Sequence, residues 1–391
     1  MIQIIDKHKC CGCSACVQAC PKHCISYSED AEGFCYPKVD ASLCIDCHLC
    51  EKVCPFINTV DQDTPIAVYA ATNPEEKIRI DSSSGGIFTM LAERIIKTNG
   101  VVFGATYDDK WEVHHSYTNS IDSVGLFRGS KYVQSRIEHC YIETRKFLLT
   151  GKTVLFSGTP CQIAGLINFL GKKYSNLITV DVVCHGVPSP LIWREYLNNI
   201  LKVKNISYCD ITNISFRDKR NGWERYGFSL SYKTEHGIKS FYEYRKNNIY
   251  LNGYLSDVFL RPSCYTCPVK NGKSQSDITL ADFWGVKETY PLSYSEKGVS
   301  SIIVHTEKGK SLLKSINVSK QNADLNIFIQ KNPAYKISKR EPSNRKRFWK
   351  SLNKKGAIYA LKKEARLPYV ILLRYYVIKL LLKAGIHSLR K

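Results

Sequence analysis

Between residues 66 and 183 the apolar positions fall in blocks whose length and spacing alternate between strand and helix. Ile66–Ala71 (IAVYAA) and Val101–Ala105 (VVFGA) are short apolar runs of strand length. Between them, Ile87 to Lys97 repeats apolar residues at helical spacing, opened by DSSSGG (81–86) and closed by Asn99-Gly100. A second unit follows: a strand at Thr153–Phe156, a helical stretch to about Lys173, and a strand at Leu177–Val183. Strand, helix, strand at this spacing predicts parallel strands joined by a crossover, with both outgoing loops at the same edge of the sheet. Cys161 and Cys184 sit on those two loops. The pattern therefore predicts an α/β main body, with a mixed or parallel sheet and flanking helices.

A polar stretch at Val60–Pro65 marks a boundary before that body. The expected organisation is residues 1–60, 61–150, 151–330 and a basic, apolar tail at 331–391.

With 44% hydrophobic residues over 391 positions, the chain has enough apolar material for a full core and is not a disordered polymer. The net charge of +21 is unevenly placed. Residues 339–391 hold 16 Lys and Arg against two acids, so this segment carries +14 and the rest of the chain only +7. The body is mildly basic, and no nucleic-acid partner is expected.

Seventeen cysteines change the picture. An odd count in so long a chain does not suit a disulfide framework, and MIQIIDKHKC offers no apolar export segment. The expectation is metal ligation in a reducing cytoplasm. Two runs share one spacing, Cys10-x2-Cys13-x2-Cys16-x3-Cys20-Pro21 and Cys44-x2-Cys47-x2-Cys50-x3-Cys54-Pro55. Three close thiolates wrap one face of a [4Fe-4S] cubane, while the cysteine before proline reaches the other cluster. One cluster then takes Cys10, Cys13, Cys16 and Cys54, and the other Cys44, Cys47, Cys50 and Cys20. Paired structural zinc sites are the alternative, but zinc needs neither four cysteines per run nor the repeated proline ending. Residues 1–60 thus resemble a bacterial dicluster ferredoxin domain, a small α+β module. Cys11, Cys24 and Cys35 fall outside the pattern and read as spare thiols, as do Cys140 and Cys209.

In the body, the Ser/Gly run before Ile87 could offer backbone N–H groups to a phosphate, or serve as an ordinary cap. Cys161 and Cys184, with Cys264-Tyr-Thr-Cys267, make four further candidate thiolates for a third cluster, with Asp277 or Asp282 as substitute ligands. The competing reading is buried or redox-active thiols beside a minor zinc or disulfide site.

SSSGGIFTML (82–91), GSKYVQS (129–135), SGTPCQIAGL (157–166), VDVVCHGVPSP (180–190), RPSCYTC (261–267) and SDITLADFWG (276–285) resemble the coenzyme F420 hydrogenase/dehydrogenase beta-subunit family. The resemblance covers roughly residues 1–330, including the fused dicluster module. It implies an α/β flavoprotein that passes electrons between [4Fe-4S] clusters, FAD and a small conjugated acceptor or deazaflavin coenzyme. It further implies that Cys161, Cys184, Cys264 and Cys267 ligate the third cluster. Ser84, Gly85, Gly86, Ser130, Lys131 and Tyr132 would then sit near the flavin. Lys131 would place a positive charge by the flavin ring, and His185 a proton donor. Asp282 and Trp284 read equally well as packing and capping residues.

The alternative function is a non-catalytic electron-transfer subunit that serves a partner enzyme. Both readings call for a redox partner protein, either ferredoxin or an oxidoreductase subunit. The apolar stretch from Pro368 to Leu382 is too short and too charged for a membrane span. Peripheral contact with the inner membrane face and a helix packed on protein are both open for it.

Overall fold

A computed structural model describes residues 1–61 and 64–365. The apolar stretch 368–382, and with it the question of membrane contact, lies outside the described residues. No helix among the described residues is long and apolar enough to cross a membrane.

The N-terminal module is an internal repeat in backbone as well as in sequence. Within each cysteine run the same two positions are left-handed. These are Gly12 (φ 69°) and Ser14 (φ 68°) in the first run, and Asp46 (φ 51°) and His48 (φ 56°) in the second. Two such residues curl three cysteines and their N–H groups around one concavity. A short helix follows in each run, Ala15–Ala19 and Leu49–Lys52, with an antiparallel hairpin between the runs, β1 (Ile25–Glu29) and β2 (Cys35–Val39).

The body is built on one eight-stranded sheet. Its first five strands are β3 (Ala67–Thr72), β4 (Val101–Tyr107), β5 (Val113–Thr118), β6 (Val154–Gly158) and β7 (Leu177–Val182). The chain then leaves it to form a separate antiparallel sheet from β8 (Ile211–Asp218), β9 (Gly227–Thr234) and β10 (Gly237–Tyr244). It returns with β11 (Ile278–Asp282), β12 (Ser300–Val304) and β13 (Ser319–Asn322). The order across the large sheet is β13-β3-β12-β11-β7-β6-β4-β5. The central strands β4, β6, β7 and β11 are parallel, and both margins are antiparallel.

The expected crossover is present: β6, the helix Pro160–Leu170, then parallel β7. That helix starts at a capping box between Thr159 and Gln162, with proline at its first position, and stops at left-handed Gly171. The helix Ile87–Lys97 is also where its periodicity predicts. The large sheet draws strands from both 61–150 and 151–330, so these two parts of the body share one sheet.

Strand alternation sends Val102 and Leu155 to one face, against Ile87, Leu91 and Ile95. Val101, Phe103, Val154 and Phe156 go to the other, where they pack with Ile163 and Leu166. Cys11, Cys13, Cys16 and Cys20 join that second core, so the N-terminal module is seated on the sheet. Salt bridges fasten its hairpin, Arg345 to Glu32 and Arg194 to Glu29.

Part of the expected tail also belongs to the fold. The helices Arg345–Lys355 and Ala357–Glu364 bury Phe348, Trp349, Ala360 and Leu361 in the core beneath β8–β10. Apart from the buried Arg345, which pairs with Glu32, their basic residues occupy the solvent-facing positions, as an amphipathic helix requires.

Candidate functional site

Three groups of thiols form. Burial pushes the Cys16 thiol up, and the nearby Cys13, Cys10, Cys54 and Cys50 push it further. Cys10, Cys13 and Cys54, with Cys50 of the other predicted set, thus lie near Cys16. Cys20, Cys44, Cys47 and Cys50 line a second recess, together with Cys24. Cys24 Sγ lies 3.3 Å from Cys20 Sγ, and the Cys20 contact is the main reason its thiol rises to about 11.

The third group assembles from separate loops. Cys161 begins the helix Pro160–Leu170, Cys184 leaves β7, and Cys264 and Cys267 lie on and just after the turn Pro262–Thr266. The Cys264 thiol is raised by burial first, then by Cys184, Cys267 and Cys161, which places all four together. Lys270 holds the Cys184 carbonyl at 2.6 Å and that of Ala334 at 2.7 Å. The aspartates considered as substitute ligands are engaged elsewhere. Asp277 accepts from Thr179 and Thr306, and Asp282 from Arg217 and Trp223. Among the described residues no three His, Cys, Asp or Glu side chains converge on a single metal ion. Four thiols per group suit a cubane by donor chemistry, since thiolate is its usual ligand.

Cys11, read from sequence as a spare thiol, connects two groups. Its buried side chain lies near Cys13 in the first group and Cys161 in the third, and both push its thiol up. The Cys11 contact is the main cause of the lowering of the Cys161 thiol to about 7.

Cys11, Cys161 and Cys184 also line a cavity of about 580 Å³, within the range of ligand and cofactor sites. Its far wall is the Ser/Gly run. Ser84 donates to the Val299 carbonyl and Ser82 to that of Ile78, so these two hydroxyls are engaged within the protein. Gly85 stands behind the wall. Its N–H donates to Ser300 Oγ at 2.9 Å, and a Cβ there would meet the Ala71 carbonyl at 2.5 Å. What faces the cavity is Gly86 (φ 80°) and the first turn of the helix Ile87–Lys97, which has no side-chain cap. The N–H groups and positive dipole end of such an uncapped helix start suit an anion.

Ser130, Lys131 and Tyr132 line the same cavity. Ser83 Oγ accepts from the Ser130 N–H at 2.6 Å, joining the two walls. Lys131 Nζ is met by the carbonyls of Arg128 at 3.3 Å and Gly129 at 3.5 Å, and burial lowers its ammonium to about 7. Tyr132 stacks on Tyr254, with ring centres 4.6 Å apart. His185 is on the wall too, its Nε2 2.5 Å from Asp257 Oδ1 and its ring against Tyr254.

Several lining residues had no signal in the sequence. Arg217 on β8 pairs with Asp282 on β11 and lies over the rings of Tyr226 and Trp284. Trp284 in turn stacks on Trp223, at 4.7 Å and 4°. Lys219, also on this insertion, donates to the carbonyls of Arg79, Ser84 and Lys297, and so clamps the Ser/Gly run from behind. A charged residue interrupting an apolar strand, as Arg217 does in ISFRD, was the one available hint.

Two stretches of the chain match models of known families. Residues 151–324 match the model for the C terminus of the coenzyme F420 hydrogenase/dehydrogenase beta subunit, and residues 9–58 that for a 4Fe-4S dicluster domain. Fifty-two residues are 36% identical to an uncharacterized ferredoxin of Methanocaldococcus jannaschii, covering 13% of this chain and 66% of that protein. An F420-reducing [NiFe] hydrogenase complex from Methanosarcina barkeri contains a chain that aligns at a TM-score of 0.44 and 17% identity. The alignment covers 70% of this chain and 91% of that one.

Proposed function

We propose that this chain, which joins a 4Fe-4S dicluster domain to a C-terminal domain of the coenzyme F420 hydrogenase/dehydrogenase beta-subunit type, is an iron–sulfur flavoprotein oxidoreductase. Electrons pass between its [4Fe-4S] clusters, FAD and a small conjugated molecule or deazaflavin coenzyme. A redox partner protein, ferredoxin or an oxidoreductase subunit, exchanges electrons at the N-terminal module. The observation that carries this reading is a single cavity bounded by an uncapped helix start on one wall and by Cys161 and Cys184 on the other.

FAD fits that cavity on chemical grounds. Its phosphates need N–H donors and positive charge, which the uncapped helix start and Lys131 offer. When bound, it would supply the conversion between one-electron and two-electron transfer. The chain's own part is positioning. Lys219 fixes the Ser/Gly run, the Arg217–Asp282 pair braces the wall, and Asp257 orients His185 beside it. With Nε2 held by Asp257, His185 keeps Nδ1 to exchange a proton with a bound molecule. Cys47 is exposed, giving the second thiol group access to a partner, while the first group lies against the body through Cys11.

Anaerobic purification with iron, sulfide and flavin measured per chain tests this reading. About twelve irons and one FAD support it. About eight irons and no flavin would confine the chemistry to the first 60 residues and leave electron transfer to a partner enzyme as the function.

A further inference from the structure

Arg261 is a fully buried cation that no carboxylate among the described residues neutralises. It is 1% exposed. Its Nε donates to the Cys10 carbonyl at 2.7 Å, one terminal nitrogen to Gln134 Oε1 at 3.0 Å, and the other to the Cys35 carbonyl at 3.0 Å and to Cys10 Sγ at 3.5 Å. Its face lies over the rings of Tyr36 and Phe34, at 4.3 and 5.4 Å. Neutral oxygens and rings solvate the guanidinium but do not balance its charge, and burying an unbalanced charge costs several kcal/mol. The other buried arginines of the body have acids: Arg217 has Asp282 and Arg345 has Glu32.

The place is built for it. Gly12 is left-handed, and a Cβ there would meet the guanidinium at 2.8 Å. Gln134 holds both Arg261 and the Cys11 carbonyl. Residue 261 also opens the segment that carries Cys264 and Cys267, so one loop contacts the first thiol group and supplies the third.

We infer that Arg261 is the counter-charge of the cluster held by Cys10, Cys13, Cys16 and Cys54, and that it raises that cluster's reduction potential. A cubane on four thiolates is an anion, and more so when reduced. A buried positive charge that also donates to a ligand sulfur therefore favours the reduced form, and charge and hydrogen bonds to sulfur are among the determinants of potential. This rests on the cluster assignment proposed above. Its consequence is that the cluster facing the body becomes the electron-collecting one of the N-terminal pair.

The test is an anaerobic redox titration of the full chain followed by electron paramagnetic resonance, with iron counted in each sample. Arg261→Met should keep its iron and lower one midpoint, leaving the other N-terminal cluster unmoved. Arg261→Lys keeps the charge but loses the fork, and its midpoint should fall at or between the other two values. Unmoved midpoints with full iron content would overturn the inference. So would a common shift of all clusters, or loss of iron from both variants, which would make Arg261 a docking residue only. A wild-type chain without iron would sink the cluster assignment itself.

Discussion

Arg217 and Asp282 face each other as a fork, with terminal nitrogens 3.0 and 3.2 Å from the two carboxylate oxygens, one on β8 and the other on β11. The pair thus bolts the inserted three-stranded sheet to the main one on the wall of the cavity. The Arg217 side chain is only 4% exposed. Asp282→Asn leaves that charge unpaired and should cost about 3–5 kcal/mol in denaturant unfolding. Replacing both residues by apolar ones of similar size should recover much of the loss. An Asp282→Asn chain as stable as wild type would remove the pair from this role.

His115 predicts an acid-sensitive fold. Its ring is buried between the Ser157 carbonyl and Ser135 Oγ, each at 3.0 Å, and burial lowers its pKa from 6.5 to about 4. Below pH 6.5 the unfolded chain takes up a proton that the folded chain refuses. Stability should therefore fall as pH drops from about 6.5 to about 4, by up to roughly 3 kcal/mol. Unfolding curves across that range, for wild type and His115→Gln, check this. The variant should show a flatter dependence.

Among the described residues Lys131 has carbonyl partners but no acid, and burial lowers its ammonium to about 7. Lys131→Met should leave the cofactor-free chain at least as stable as wild type, because a half-buried charge is removed. Flavin affinity should fall by about ten- to a hundredfold, the worth of one charge-assisted hydrogen bond. Wild-type affinity should also decline above about pH 7, as the charge is lost, and the variant's should not. Equilibrium titration of flavin fluorescence reads both effects. Equal affinities in the two proteins would place the flavin away from Lys131.

Gly165 is the contact point between the helix Pro160–Leu170 and the N-terminal module. A Cβ at this position would meet Cys13 Sγ at 2.9 Å and the Tyr141 hydroxyl at 3.1 Å. Gly165→Ala should cost about 1–3 kcal/mol and lower the iron bound by the first thiol group. Cys20, Cys44, Cys47 and Cys50 lie in a separate recess and should keep theirs. Iron analysis with spectroscopy separates the two. Full iron content would show that the module can shift to accept a methyl group.

The local features were legible in the chain itself. The repeated cysteine spacing is a property of a few consecutive residues, and it is matched in the backbone by left-handed residues at the same two positions of each run. The crossover from β6 to β7 was equally readable, because helix periodicity and strand runs are short-range patterns. It correctly put Cys161 and Cys184 on one edge.

Residues whose partners lie far away in sequence could not be read. Arg217 gains meaning only from Asp282, 65 positions on, and Arg261 only from Cys10, 251 positions back. Cys11 looked surplus because its two neighbours, Cys13 and Cys161, belong to groups that only folding brings together. The Ser/Gly run was recognised, but its division of labour was not. Hydroxyls of Ser82 and Ser84 point into the protein, and the helix N-terminus faces the cavity. By itself, then, the sequence determined the ligand-bearing turns and the parallel sheet, since backbone dihedrals and side-chain periodicity act within a few residues. Which thiols adjoin, which cations stand unbalanced and where the cavity opens were decided by tertiary packing. Burial and electrostatics act across space, between residues that chain distance keeps apart.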